Sequence, residues 1–316
     1  MDHCPSADIL SLSQKVAFFV MFSEFFLGTW VNGFIGLLLC LTWVKSRKIS
    51  LSDFIILNLT LSRIVLQGIL MFDAVLAMFY PYLRDLGILM QIIDILWAFT
   101  NNLSICLLTC LSVLYCLKIA NFSHSVFHWL KWRVSRVVVW ILLGSGLYSF
   151  FSTMALILKF NVYSDLSQMK LSENCTEDFK RKKIEYRVIH MIGAGWSVIP
   201  FIMTLVSSVL LILSLKRHIQ QMQHHATGMR DLSTRAHVKA IKVILSSLFL
   251  FIGYILVLFL VMSSHFFPNP KLARITGTLI LSAYPCIQTF VLILENQKLK
   301  QAFLGMFQVK KWRLIC

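Results

Sequence analysis

Runs of roughly 20 or more mostly apolar residues recur along the chain, near residues 16–44, 53–80, 87–117, 134–158, 188–215, 238–263 and 275–294. Each is long enough as a helix to cross about 30 Å of hydrocarbon. Polar and basic stretches separate them. No run alternates as a barrel strand would, so helices are the spanning form that leaves no backbone group unpaired in lipid. The pattern predicts an all-α membrane protein, a seven-transmembrane-helix bundle forming one domain over residues 1–316. Beyond the seventh run, Leu299, Phe303, Met306 and Phe307 recur in steps of four and three beside Lys298 and Lys300. That spacing predicts a short amphipathic eighth helix on the inner leaflet within a cytosolic tail, residues 295–316. The other reading of this segment is a disordered basic tail.

Composition agrees with the pattern. Apolar residues make up 58% of the chain and charged residues 14%, against about 45–50% and 25% in soluble domains. A mean hydropathy of +0.75 cannot be hidden inside one water-facing globule. A formal net charge of +16 would raise nucleic-acid binding in a soluble protein. Here Lys and Arg sit in short segments between the apolar runs, where they set topology, so no nucleic-acid partner is expected. Their distribution favours the N-terminus outside and the C-terminus inside in a multi-pass membrane protein. The run Lys180–Lys183 on the outer side weakens that bias. Asn174-Cys175-Thr176 lies in the same long outer loop and is the sequon placed for glycosylation. Asn58, Asn102 and Asn121 head similar triplets, but inside helices or facing the cytosol, and read as chance matches. Asp2 and Asp8 argue against a cleavable signal peptide.

No catalytic motif is present: no H-E-x-x-H, no G-x-S-x-G and no phosphate-binding glycine loop. The eight cysteines lack zinc or redox spacing and read as small apolar fillers. His218, His224, His225 and His237 fall in the third inner segment, 216–237, where Gly228 and Asp231 break the helical pattern, so a solvated loop is expected there. Neither a metal nor a cofactor is expected.

Two polar sets stand out inside the spans. Arg63 lies about 15 Å into the second helix and Asn32 at similar depth in the first. An unpaired Arg at that depth costs at least about 2.5–3.5 kcal/mol. Arg63 is therefore expected to face the bundle interior and meet Asn32 or nearby carbonyls, as a polar clamp rather than a ligand contact. In the third helix, Asp94, Trp97, Asn101 and Asn102 fall on successive turns, with Asp94, Trp97 and Asn101 on one stripe. An aromatic face beside an amide and a carboxylate offers a small amphipathic ligand both burial and orientation. A packing stripe with an interfacial Trp is the alternative. Glu24, Asp73 and His190 lie at comparable or shallower depth and line the rim at most.

Taken in order, the following segments resemble those of the bitter taste (type 2 taste) receptor family of G-protein-coupled receptors over nearly the whole chain. They begin with Trp30-Val-Asn-Gly-Phe34, Trp43-Val-Lys-Ser-Arg-Lys-Ile-Ser-Leu-Ser-Asp53 and Leu59-Thr-Leu-Ser-Arg63. Trp97, Asn101-Asn-Leu-Ser104, Cys110-Leu-Ser-Val-Leu-Tyr115, Lys118-Ile-Ala-Asn-Phe-Ser-His124 and Trp129-Leu-Lys-Trp-Arg133 follow. The series closes with Ala236-His-Val-Lys-Ala-Ile-Lys242, Tyr284-Pro285, Leu292-Ile-Leu294 and Lys298-Leu-Lys-Gln301. The resemblance implies a receptor for bitter small molecules, bound in the outer half of the bundle, that activates a gustducin-like or other inhibitory-class heterotrimeric G protein. It places Trp97 and Asn101 at ligand-contacting positions, Tyr254 at an aromatic linked to activation and Thr278 at a contact position on the seventh helix. Asn174 matches the family's glycosylated asparagine.

The chain also departs from that pattern. Asn102 and Gln288 stand where relatives usually carry His, Cys106 replaces a common Trp and Glu295 a common Gly. The D-R-Y and N-P-x-x-Y motifs are absent. Met90 stands where a disulfide partner for Cys175 would be, so the second outer loop is expected to lack that clamp. Activation by population shift would open a basic cleft along 118–133 and 216–242, in which Lys118, Arg133, Lys216, Arg235, Lys239 and Lys242 are the expected G-protein contacts. A channel or transporter is the alternative class; it would need a continuous acidic or carbonyl-lined path, and Asp73 and Asp94 alone do not supply one.

Overall fold

The computed structural model describes residues 5–84, 87–120, 125–158, 184–185, 188, 191–225, 230–263 and 270–313, and among them every regular element is helical. In chain order these are α1 (Pro5–Ser46), α2 (Leu51–Phe79), α3 (Pro81–Arg84), α4 (Gly87–Ile119), α5 (Ser125–Trp132) and α6 (Val134–Leu158), followed by α7 (Val198–His225), α8 (Arg230–Met262), α9 (Pro270–Glu295) and α10 (Gln297–Arg313). Seven helical segments are long and apolar enough to cross a membrane: α1, α2, α4, α6, the segment ending in α7, α8 and α9.

The sides of these helices are inverted relative to a water-soluble protein. Phe19, Leu37, Val44, Trp140, Leu143, Phe151 and Phe249 are exposed, whereas Asn32, Arg63, Ser149, Gln288 and Thr289 are almost wholly covered. Apolar-out and polar-in packing is stable only where lipid replaces water around the bundle.

The helices close into a ring in which α1 packs on α2 and α9, α2 on α4, α4 on α7, α7 on α8 and α8 on α9. α6 lies outside that ring, against α4. The central position of α4 shows in its burial, 67% of its most apolar window against 28% for α6 and α8. The largest apolar cluster joins Val31, Ile35 and Leu39 of α1, Ile55, Ile56 and Leu59 of α2, Leu111 and Leu114 of α4 and Leu292 of α9.

Local chemistry sets several boundaries. The Ser50 hydroxyl caps α2 by accepting from the Asp53 N–H at 3.1 Å, and Asp53 then sits in the first turn, where a carboxylate favours the helix dipole. Asn296 caps α10 in the same way, its Oδ1 accepting from the N–H groups of Lys298 and Leu299. The fifth span is broken. A turn at Trp196 and Ser197 precedes α7, and Pro200 cannot donate to the Trp196 carbonyl one turn back. That carbonyl instead accepts the Tyr148 hydroxyl from α6, and the Tyr148 ring packs edge-on against Trp196.

The structure departs from the sequence expectation in three places. α1 begins at Pro5, well before residue 16. The segment 216–237, expected as a loop, is largely helical: α7 continues to His225 and α8 begins at Arg230, leaving 226–229 outside the described residues. Asp231 therefore falls in a first helical turn. In the tail, Leu299 is wholly buried, and Phe303 meets Trp30 and Phe34 of α1 and Phe290 of α9. Those two residues of the expected amphipathic stripe pack into the bundle.

Candidate functional site

Successive residues of a helix point about 100° apart, and α4 uses that angle to send two neighbouring amides to different helices. Asn101 faces α8: its Oδ1 accepts the Tyr254 hydroxyl at 2.5 Å, and both residues are buried. Asn102 faces α6, donating from Nδ2 to Ser152 Oγ at 2.7 Å. Of the residues named from the sequence, Asn101 and Tyr254 are thus in direct contact, while Asn102 is engaged on another side of α4.

The Tyr254 ring stacks on Tyr284 of α9, with centroids 4.2 Å apart. Phe251, about one turn along α8, stacks on Tyr284 and lies 5.6 Å from Phe201 of α7. An aromatic chain therefore links α7, α8 and α9 and reaches α4 through one hydroxyl. Ile105, Ile255, Leu258 and Leu281 fill the space around it. Trp97, one turn from Asn101 toward the N-terminal end of α4, is partly buried and packs against this cluster. Asp94 and Thr278 are half-buried in the same half of the bundle. The arrangement offers an aromatic wall with one amide and one phenol, polar groups few enough to orient a small amphipathic molecule.

A second set ties α1, α2 and α9 together nearer mid-membrane. Arg63 is 1% exposed, and its Nη1 donates to Thr289 Oγ1 at 3.0 Å. Thr289 in turn donates to Asn32 Oδ1 at 3.0 Å, and Asn32 Nδ2 donates to the Gly28 carbonyl at 2.9 Å. Arg63 and Asn32 thus meet through Thr289, a residue the sequence reading passes over. Thr289 lies four residues past Pro285, whose carbonyl its hydroxyl also approaches at 2.6 Å. The proline inside α9, at position 285, was the available signal. Two further polar ties were also missed. Glu24 Oε2 accepts from Ser282 Oγ at 2.6 Å, joining α1 to α9, and Gln288 Nε2 donates to Ser247 Oγ at 2.8 Å, joining α9 to α8.

The basic residues expected to meet a protein partner gather at the opposite end of the bundle. Lys118 ends α4, Arg133 lies between α5 and α6 with its guanidinium 5.0 Å from the Trp129 ring centroid, and Lys216 and Lys242 are exposed on α7 and α8. Arg235 and Lys239 lie in the first turns of α8 at the same end. Lys298 of α10 pairs with Asp53 of α2 at 3.2 Å. Asn174, Cys175 and His190 lie outside the described residues.

Against this geometry, the family model described as "Taste receptor protein (TAS2R)" matches residues 9–311. The chain is similar to taste receptor type 2 member 3 of Papio hamadryas, 47% identical over 96% of this chain and 97% of that protein. Its human counterpart is 46% identical over 97% of both chains, and the Mus musculus protein 46% identical over 90% of both.

Proposed function

The chain belongs to the type 2 taste receptor family and is a bitter taste receptor coupled to a G protein, and from that premise we propose how its residues divide the work. The agonist occupies the half of the bundle that carries the N-terminal end of α4, which faces outward. Trp97 supplies a flat apolar surface there, Asn101 a hydrogen-bonding amide, and Asp94 and Thr278 polar edges. Asn102 supports the site from behind by fixing α4 against α6. Tyr254 transmits occupancy, because an agonist that recruits the Asn101 amide competes with the Tyr254 hydroxyl and loosens α8 from α4.

The single observation that carries this reading is the Tyr254–Asn101 hydrogen bond, which joins a ligand-facing stripe to the helix bearing the basic end. Release of α8 lets its Arg235–Lys242 end swing out, and Lys118, Arg133, Lys216, Arg235, Lys239 and Lys242 then frame a cleft for a G-protein helix. A gustducin-like, inhibitory-class α subunit fits as the partner, at the plasma membrane, with the N-terminus and a glycan on Asn174 outside. Asn32 and Arg63 hold the bundle together and do not touch agonist. No described feature favours a channel or transporter.

Agonist-dependent nucleotide exchange on added G protein, screened over a panel of bitter compounds, tests the proposal. The expected result is a response that disappears in both Trp97→Ala and Asn101→Ala at retained surface expression. A response that persists in both moves the binding site elsewhere, and exchange unaffected by charge reversal at Arg235, Lys239 and Lys242 removes the coupling cleft.

A further inference from the structure

The Arg63 side chain leaves a charge that its bonds do not account for. Arg63 as a whole residue is 1% exposed and lies within the second span. Among the described residues no carboxylate lies within ion-pair distance of it. Glu24 is bonded to Ser282, and Glu295, within electrostatic reach, is bonded to Ser247. Thr289 takes one guanidinium proton, and the Nε–H has no partner in the protein. One turn further along α2, Gln67 is 3% exposed and neither polar atom of its amide has a partner. That amide is pressed against α1 at Gly28, where any side chain would overlap it. The Tyr284 hydroxyl of α9, also buried and without a partner, lies within electrostatic reach of Arg63.

A neutral hydroxyl or amide can complete hydrogen bonds here, but it cannot neutralise a full charge in a low-dielectric interior. Three unpartnered donors of different type, from Arg63, Gln67 and Tyr284, suit an acceptor without directional preference. We propose that Arg63 and Gln67 of α2, with Tyr284 of α9, form an internal binding site for a small monovalent anion of the halide class. The anion supplies the counter-charge that the buried Arg63 guanidinium lacks between α1, α2 and α9. Because the folded bundle forms the site and the separated helices do not, occupancy stabilises the fold by mass action.

The test is thermal unfolding of the purified full-length receptor in chloride, bromide, iodide and gluconate at equal ionic strength. The expected result is a saturable rise of a few degrees in chloride over gluconate, with the halides ranked by size. Gln67→Leu keeps the charge and removes one donor, so it is expected to weaken apparent chloride affinity by about tenfold. Arg63→Gln abolishes the chloride effect if it folds; should it not fold, Gln67→Leu decides. Identical unfolding of wild type in chloride and gluconate overturns the proposal. So does a saturable chloride effect that survives unchanged in Gln67→Leu, because the ion is then bound elsewhere.

Discussion

Replacing Thr289 by Val tests whether one hydroxyl fastens three helices. The substitution keeps the branched shape and removes Oγ1, which accepts from Arg63 and donates to Asn32 at 3.0 Å each. Hydrogen bonds to charged groups contribute about 1.5–3 kcal/mol, and their loss leaves the guanidinium desolvated with one proton fewer in place. Interhelical bonds between neutral side chains in membranes average about 0.6 kcal/mol. Together these give a loss of about 2–3.5 kcal/mol. At about 2 °C per kcal/mol for a chain of this size, the unfolding midpoint should fall by roughly 4–7 °C. The assay is thermal unfolding of purified receptor in detergent, with Thr289→Ser as the paired variant. Serine keeps the hydroxyl and loses a buried methyl, a cost of about 1 kcal/mol. A valine variant within about 1 °C of wild type refutes the reasoning, as does a serine variant as damaged as the valine one.

Two other expectations follow from the packing. Gly277→Ala places a Cβ against Val261 Cγ2, and a β-branched neighbour has little rotamer freedom to yield, so a loss of about 1–3 kcal/mol and reduced surface expression are expected; Gly253→Ala, with nothing within 4 Å, should express normally. Tyr254→Phe keeps the stack on Tyr284 but loses the bond to Asn101, so basal activity or agonist potency should move by about threefold and by no more than about twentyfold. Unchanged values for both quantities would show that this bond does not bias the active state.

The number of spans and their approximate positions were legible because bilayer thickness imposes a length that apolar runs must meet. The loop between the fifth and sixth spans was not. Gly228 and Asp231 signal a break, yet helical continuation on both sides leaves only a short turn. Trp97 and Asn101 stood out by spacing and by resemblance, and Tyr254 by resemblance alone. Their partners did not, because a helix-period pattern says which face a residue occupies without saying which helix covers that face. Asn102 shows the limit: it adjoins Asn101 in sequence, yet it serves α6 and not α8. Thr289 shows it again, since Pro285 one turn earlier marks the place only indirectly until Arg63 is found across from it.

The fifth span's Pro200 and the fourth span's Tyr148 form one joint spread over two positions. The imino acid frees the Trp196 carbonyl, and the phenol occupies it. Any other residue at 200 brings an N–H that competes for the carbonyl, leaving the phenol stranded; losing the phenol leaves the carbonyl only the long 3.4 Å contact from the Ile199 N–H. The two substitutions should therefore be strongly non-additive. Among receptors of this kind, a change at either site is best read together with its counterpart. A chimera exchanging the fourth span without the fifth would inherit half of a joint.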